Sequence, residues 1–223
     1  MDSHYAIISR LLVLILAIAV RQTAAVNAKA SHYEGNLSGG NCMLTSYTIP
    51  AGIFGTAISN SNYDSSSMCG VCLTVKGPNG SMKAMVVDSC PDCTPNKLDL
   101  FSDGFRSIGD LNAGIIDVDW EVTSCGITEP LKVRNKDGTS KHWFSMQVYD
   151  SNQQVKSLDV STDGGATWQQ TTRRPYNFFE KTSGGGFGAD SITVRVTCAG
   201  GGQVTIENVG VAGGSGFTAS GNC

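Results

Sequence analysis

Val86-Val87-Asp88-Ser89-Cys90-Pro91-Asp92-Cys93-Thr94-Pro95-Asn96-Lys97-Leu98-Asp99-Leu100-Phe101-Ser102-Asp103-Gly104-Phe105 is the stretch on which the chain turns. It begins as an apolar strand, Ala84 to Val87, and delivers Asp88 at the strand's end. A short loop follows, pinched by Cys90 and Cys93. Leu98 and Leu100 then flank Asp99. Alternate residues of a strand face the same side. Leucines turned into a core therefore turn Asp99 outward, onto the surface that Asp88 can reach. Two carboxylates beside one loop suit acid–base work on sugar polymers. From pattern alone a plainer reading stays open, in which Asp88 caps a turn and Asp99 is simply the outward residue of a strand.

Working outward, the chain has 223 residues, and its first part reads as a leader. Leu11 to Val20 is an unbroken apolar run after Arg10, followed by small residues at Thr23-Ala24-Ala25. This is the layout of a secretory signal peptide, with cleavage placed after Ala25. The apolar run is half the length of about 20 residues that a membrane span needs. Ala28-Lys29-Ala30 is a second candidate cleavage site. Removing residues 1–25, which carry Arg10, Arg21 and Asp2, takes 16 basic and 19 acidic residues to 14 and 18. That balance argues against nucleic acid or an anionic membrane surface as partner. A charged fraction of 16% with 27 glycines and few helical patterns points to an all-β secreted protein.

All eight cysteines, at 42, 69, 72, 90, 93, 125, 198 and 223, lie after the leader. An even count in an exported chain reads as disulfides. Cys69-x-x-Cys72 and Cys90-x-x-Cys93 also fit a four-thiolate zinc spacing, and Cys90-Pro91-Asp92-Cys93 a redox dithiol. In an oxidising compartment the plainer assignment is a stapled loop, so no metal and no cofactor are expected. Six cysteines precede residue 126 and two follow it, which is compatible with two units each closing its own bridges.

In the first half, Cys72–Lys76 and Met82–Val87 read as strands of a hairpin around Gly77-Pro78-Asn79-Gly80, and Val118–Val122 as a further strand. One short helix is predicted, capped by Ser102, with Phe105 and Ile108 inward and Gly109 closing it. In the second half, Trp143-Phe144-Ser145-Met146-Gln147-Val148 puts Trp143 opposite Phe144, Met146 and Val148. Ser191–Thr197 and Gln203–Glu207 alternate in the same way, and Val155–Val160 is a weaker run. Short strands between turns predict a β-sandwich. Ser161–Trp168 reads as a hairpin turn with Trp168 in the core, and Gly213–Gly221 as a surface segment, tied down if Cys223 pairs with Cys198. The join Gly126-Ile127-Thr128-Glu129-Pro130 is too short for a flexible tether, so the two halves should dock.

The ordered set Ser31-His32-Tyr33, Ser38-Gly39-Gly40, Cys69-Gly70-Val71-Cys72, Val87-Asp88-Ser89-Cys90-Pro91, Leu98-Asp99-Leu100, Phe105-Arg106-Ser107-Ile108-Gly109, Trp120-Glu121-Val122 and Cys125 resembles the first domain of expansins, and more closely the expansin-like proteins of microbes. The resemblance continues through Lys136, Asp137-Gly138-Thr139-Ser140, Trp143, Val148, Trp168 and Pro175-Tyr176-Asn177-Phe178, covering nearly all of the mature chain. It implies an all-β architecture: a six-stranded double-psi β-barrel at 26–126, then an immunoglobulin-like β-sandwich at 127–223. The barrel would be related to inverting endoglucanases, and the sandwich would be a cellulose-binding module. The family loosens cell-wall polysaccharide without detectable hydrolysis.

Carried over by position, Asp99 matches the family's essential barrel aspartate, which is the proton donor of the related endoglucanases, and Asp88 matches the second acid beside it. Ser31 stands where bacterial relatives have threonine, and Cys90 where they have a tyrosine. The general base of those endoglucanases is an aspartate near the barrel's start. Here that region reads Ser31-His32-Tyr33-Glu34, with no aspartate, so one half of the couple is missing unless Glu34, Asp64 in a Ser/Asn-rich loop, or Asp88 takes the role. Trp143 and Tyr176 match the aromatic platform, His142 replaces a second tryptophan, and Lys136 matches a lysine beside it. Phe178 or Phe179 is a candidate third ring, with at least one of the two buried. The implied disulfides are Cys42–Cys69, Cys72–Cys125, Cys90–Cys93 and Cys198–Cys223. Asn36 and Asn79 begin glycosylation sequons. The implied partner is cellulose or a related β-glucan, met by a monomer in the wall or matrix. The rivals are an endoglucanase or lytic transglycosylase on the same barrel, and a carbohydrate-binding matrix protein that loosens nothing.

Overall fold

A computed structural model describes residues 24–223; the leader assignment therefore falls outside the described residues except for the exposed Ala24 and Ala25. Fourteen strands dominate. The first group is β1 (Val26–Tyr33), β2 (Ile53–Ser59), β3 (Cys72–Gly77), β4 (Gly80–Cys90), β5 (Leu98–Phe101) and β6 (Ile116–Thr123). It closes into a barrel in the order β1-β5-β2-β4-β3-β6. The β1–β5 and β2–β4 contacts are parallel and the others antiparallel, which is the double-psi arrangement expected. Ile58, Leu73, Val75, Ala84, Val86, Leu98 and Leu100 fill its interior at 0% exposure. Closure leaves the barrel no open edge.

Two short helices decorate the barrel, α1 (Asn60–Tyr63) and α2 (Ser102–Ile108). α2 carries Phe105 and Ile108 inward as expected. Ser102 does not cap it. Phe101 holds that position, and the Ser102 hydroxyl instead donates to the Tyr33 carbonyl at 3.1 Å. The backbone has a nearer use for the serine than the helix end.

The second group is β7 (Lys132–Asn135), β8 (Ser145–Tyr149), β9 (Val155–Ser161), β10 (Gln169–Arg173), β11 (Phe179–Lys181), β12 (Ser191–Cys198), β13 (Gln203–Gly210) and β14 (Gly216–Thr218). The strand order is β13-β12-β9-β10-β11-β8-β7-β14. β10 pairs with β9 through Gln169 and Gln170, then with β11 through Thr171 to Arg173. The sheet turns a corner there and becomes a sandwich. Leu158, Val160, Val194 and Val196 face Phe144, Met146, Val133 and Phe179 across its core. One expectation fails here. Trp168 is only half-buried, because the Arg195 guanidinium stacks 4.1 Å from its ring on the outer face and leaves no route to the core. The glycine-rich end is a mostly exposed surface segment tied down by Cys198–Cys223, as expected, and β14 within it pairs with β7.

The four disulfides are Cys42–Cys69, Cys72–Cys125, Cys90–Cys93 and Cys198–Cys223, as the resemblance implied. The join is pinned: the Asn152 side-chain oxygen accepts from the amides of Gly126 at 2.7 Å and Ile127 at 3.1 Å. The rest of the contact combines an edge-on Tyr47–Tyr149 ring pair at 6.0 Å with several polar bonds. Tyr63 donates to the Pro175 carbonyl at 2.9 Å, Ser66 to the Arg174 carbonyl at 2.7 Å, and the buried Arg173 to the Ser66 carbonyl at 3.0 Å. β8 records the docking. Ser145 and Gln147 point away from the sandwich core yet have 0% exposure, and Gln147 donates to the Cys42 carbonyl of the barrel at 2.9 Å.

Replacing Gln147 with leucine removes that donor from a buried site. It should lower stability by about 1–3 kcal/mol in a denaturant titration. A second expectation concerns the turn at Asp163. Ser161 Oγ donates to Asp163 at 2.6 Å and Thr167 donates through its amide at 2.9 Å and its hydroxyl at 2.6 Å, which lowers the carboxyl to about 2. The folded value lies below the unfolded one, so the turn is fully braced above about pH 4 and loosens as pH falls toward 2. A carboxyl-detected NMR titration should place Asp163 near that value.

Candidate functional site

Strand register builds the first part of the site. Ser31 of β1 is the partner of Asp99 on β5, Asp99 is the partner of Ala57 on β2, and Ala57 is the partner of Asp88 on β4. These four residues form one row across four strands. Their side chains share the outward face, because residues in register point the same way. Leu98 and Leu100 point inward at 0% exposure, which leaves Asp99 half-buried on the outside. Ser31 Oγ donates to Asp99 Oδ1 at 2.6 Å. The small Ala57 side chain sets a low floor between the two acids. With one strand between them, the Cα atoms of Asp88 and Asp99 are about 10 Å apart, two inter-strand spacings.

Asp88 reaches the row through an irregularity. β4 pairs Val86 with Thr56 but Asp88 with Ala57, so Val87 is bulged out of register. The bulge re-aims the acid, a common use of such kinks. Asp88 Oδ1 accepts from the Asn41 amide at 2.6 Å and the Ser89 amide at 2.7 Å. Gly40 makes this approach possible: a Cβ there would sit 3.0 Å from the Val87 carbonyl oxygen and 3.4 Å from Asp88 Cγ.

Tyr33 belongs to the same surface, although it enters the sequence only as part of a motif. It lies two residues beyond Ser31 and so faces the same way. Its ring meets Phe101 edge-on at 5.4 Å. Phe101 in turn lies over Gly35 and Gly55, where any Cβ would overlap its ring. Burial, then the charges of Asp88 and Asp99, raise the Tyr33 phenol above its ordinary value. Its hydroxyl is buried with no partner within the protein. The signal that identifies it is period two, Ser31 to Tyr33. His32, on the opposite face, packs against Phe105 at 4.7 Å.

The second part of the site lies on the sandwich. Trp143 is 36% exposed, while Phe144, Met146 and Val148 are buried, as the alternation requires. A tight loop fixes it: Ser140 and Trp143 exchange backbone hydrogen bonds at 2.7 and 3.2 Å. His142 is exposed beside it. Lys136 Nζ sits 6.0 Å from the Trp143 ring and 6.0 Å from the Phe178 ring, and Tyr176 is 6.1 Å from Phe178. Lys136 thus lies between Trp143 and Phe178, and Tyr176 borders Phe178. Phe178 and Phe179 are both buried, at 3% and 2% exposure, so neither supplies an open third ring.

The two parts meet at Asn41-Cys42-Met43. Asn41 is bound to Asp88. The Cys42 carbonyl accepts from Gln147 at 2.9 Å and Asn177 at 3.2 Å, and the Met43 carbonyl accepts from Arg134 at 2.8 Å. Met43 is itself 37% exposed. Three consecutive residues therefore tie the acids to the aromatic face.

No family model matches the chain. It is 31% identical over 172 residues to Expansin-YoaJ of Bacillus subtilis, covering 75% of this chain and 71% of that protein. The chain belongs to the expansin family. Expansin-like protein 5 of Dictyostelium discoideum is 27% identical over 195 residues, covering 82% of this chain and 80% of the relative. Among solved structures, the expansin of Clavibacter michiganensis superposes with a TM-score of 0.80 at 28% identity, over 89% of this chain and 98% of that one. A point mutant of the Clavibacter expansin, with the same TM-score of 0.80 and 27% identity, has been solved in complex with cellohexaose. Within this expansin chain the described residues contain no group of three or more histidine, cysteine, aspartate or glutamate side chains placed to hold a metal, and no helix long and apolar enough to cross a membrane.

Asp88→Ala should release the Asn41–Met43 segment. We expect faster hydrogen exchange at the Asn41 amide and a loss of about 1–3 kcal/mol in unfolding free energy.

Proposed function

We propose that this expansin is a secreted protein of the cell wall or matrix that binds cellulose or a related β-glucan and loosens the polymer network without hydrolysing it. One observation carries the reading: an outward row of Ser31, Asp99 and Asp88 is joined by a rigid three-residue bridge to an exposed aromatic face. The cellohexaose complex of the Clavibacter relative supports a linear glucan as ligand. The four disulfides suit export. Under this reading, residues 1–25 are a signal peptide, 26–126 the barrel domain and 127–223 the binding domain. A cut after Ala30 would remove much of β1, which favours the cut after Ala25. Asn36 and Asn79 are exposed and accessible to glycosylation.

In this reading Trp143 and Tyr176 stack on sugar rings, with Lys136 and His142 at their edges. Asp99, held by Ser31, hydrogen-bonds a glucan hydroxyl, and Asp88 fixes the loop beside it. Each inter-chain hydrogen bond in the polymer is worth about 0.5–1.5 kcal/mol net. A few competing contacts made together are enough to displace a strand locally. No covalent step is required.

A hydrolytic reading has one observation in its favour. Inversion needs two carboxyl groups roughly 6.5–9.5 Å apart with a water between them, and the two-strand separation of Asp88 and Asp99 is near that span. Against it, Asp88 is already engaged by two backbone amides, and Glu34, near the barrel's start, is exposed.

Wild-type protein should bind crystalline cellulose and weaken filter paper while releasing no reducing sugar from soluble β-glucan. Trp143→Ala should weaken binding by about tenfold or more. Asp99→Asn should abolish weakening while leaving binding in place. Reducing ends that vanish in Asp99→Asn would establish the endoglucanase instead. Binding without any weakening would leave a matrix-binding protein.

A further inference from the structure

Tyr176 is held in a way that its neighbours on the aromatic face are not. It sits in the turn between β10 and β11, and its hydroxyl donates to Glu180 Oε1. Glu180 is nearly buried, with its side chain 12% exposed. Its carboxylate is gripped from three sides: by Tyr176, by Arg174 Nε at 2.8 Å, and by Ser145 Oγ at 3.3 Å. The register Glu180–Ser145 places it on the strand next to β8, two residues along from Trp143. The backbone of the turn is fixed as well. Arg174 and Phe178 close it at 2.7 Å, and the buried Asn177, at φ 63°, bonds both Arg173 at 3.0 Å and the Cys42 carbonyl at 3.2 Å.

A tyrosine that stacks on a sugar needs its ring plane set. A ring free to rotate loses side-chain entropy on binding, about 0.5–1.5 kcal/mol for an immobilised side chain. Anchoring the hydroxyl removes that loss in advance. We propose that Glu180 is a positioning residue for glucan binding: it orients the Tyr176 ring on the platform and is itself oriented by Arg174. This rests on the reading of Tyr176 as a sugar-stacking ring.

The test is a double-mutant cycle in the full-length protein, read as the Kd for crystalline cellulose from depletion isotherms, with thermal unfolding recorded beside it. Tyr176→Phe keeps the ring and removes only the hydroxyl. It should raise Kd by about three- to tenfold. Glu180→Ala should do the same, and the double variant should be no worse than either single one, because both break one link. Glu180→Gln keeps an acceptor for the hydroxyl and should bind closer to wild type than Glu180→Ala. Tyr176→Ala removes the ring and should bind more weakly than all of these. If Tyr176→Ala weakens binding but Tyr176→Phe binds like wild type, the positioning role is wrong and the stacking role stands. Additive losses in the double variant, or a Glu180→Gln loss equal to that of Glu180→Ala, also overturn it. If Tyr176→Ala binds like wild type, the stacking role fails first and this one with it.

Discussion

The Cys42 carbonyl is where the two halves of this molecule are made into one. It accepts two side-chain donors from the sandwich, Gln147 and Asn177, while the residue before it is bound to Asp88 and the residue after it to Arg134. The Cys42–Cys69 disulfide anchors the same residue to the barrel. A buried carbonyl must be satisfied, and here its partners come from the other domain. Undocking would therefore leave a peptide group and two amide side chains to be resolvated together. That couples the spacing between acids and aromatics to the integrity of the interface.

Such coupling suits an extended ligand. A glucan chain is long, and its contacts are individually weak. Their free energies add only if the protein presents them at a fixed pitch, since each flexible joint returns entropy to the unbound state. The short join pinned by Asn152, the Tyr63 and Ser66 bonds to the Pro175 and Arg174 carbonyls, and the buried Arg173 all remove such freedom. The polar character of this interface is not a weakness, because its Tyr63, Ser66, Arg173, Gln147 and Asn177 donors are matched to backbone acceptors.

Much of this was legible in the sequence wherever alternation was clean. Asp99 between two leucines and Trp143 opposite Phe144 and Met146 follow from period two, and the hairpin around Gly77–Gly80 from its turn residues. β2 was not legible. Its pattern, Ile53-Phe54-Gly55-Thr56-Ala57-Ile58-Ser59, does not alternate, because the strand lies between β4 and β5 with most of its residues buried. β10 was hidden for the opposite reason, being mostly polar and exposed at the corner of the sandwich. The Val87 bulge, which decides where Asp88 points, leaves no mark in residue type. Trp168 was misplaced because a tryptophan in a turn is equally served by a cationic lid, and Arg195 lies 27 residues away in the chain.

The row across the barrel places its two carboxylates in different surroundings. Ser31 binds Asp99 through a hydroxyl on the neighbouring strand, so the carboxylate is held in one orientation before any ligand arrives. Asp88, the other acid of the row, is turned to a structural task by the Asn41 and Ser89 amides. A hydrolase needs its second carboxylate poised over a water. Here that carboxylate instead fixes the bridge on which the domains meet. Tyr33 adds a buried hydroxyl without a protein partner, within the field of both acids. A buried polar atom of this kind is costly to the fold. Under the proposed function the two acids divide the work, Asp99 holding the ligand and Asp88 holding the fold.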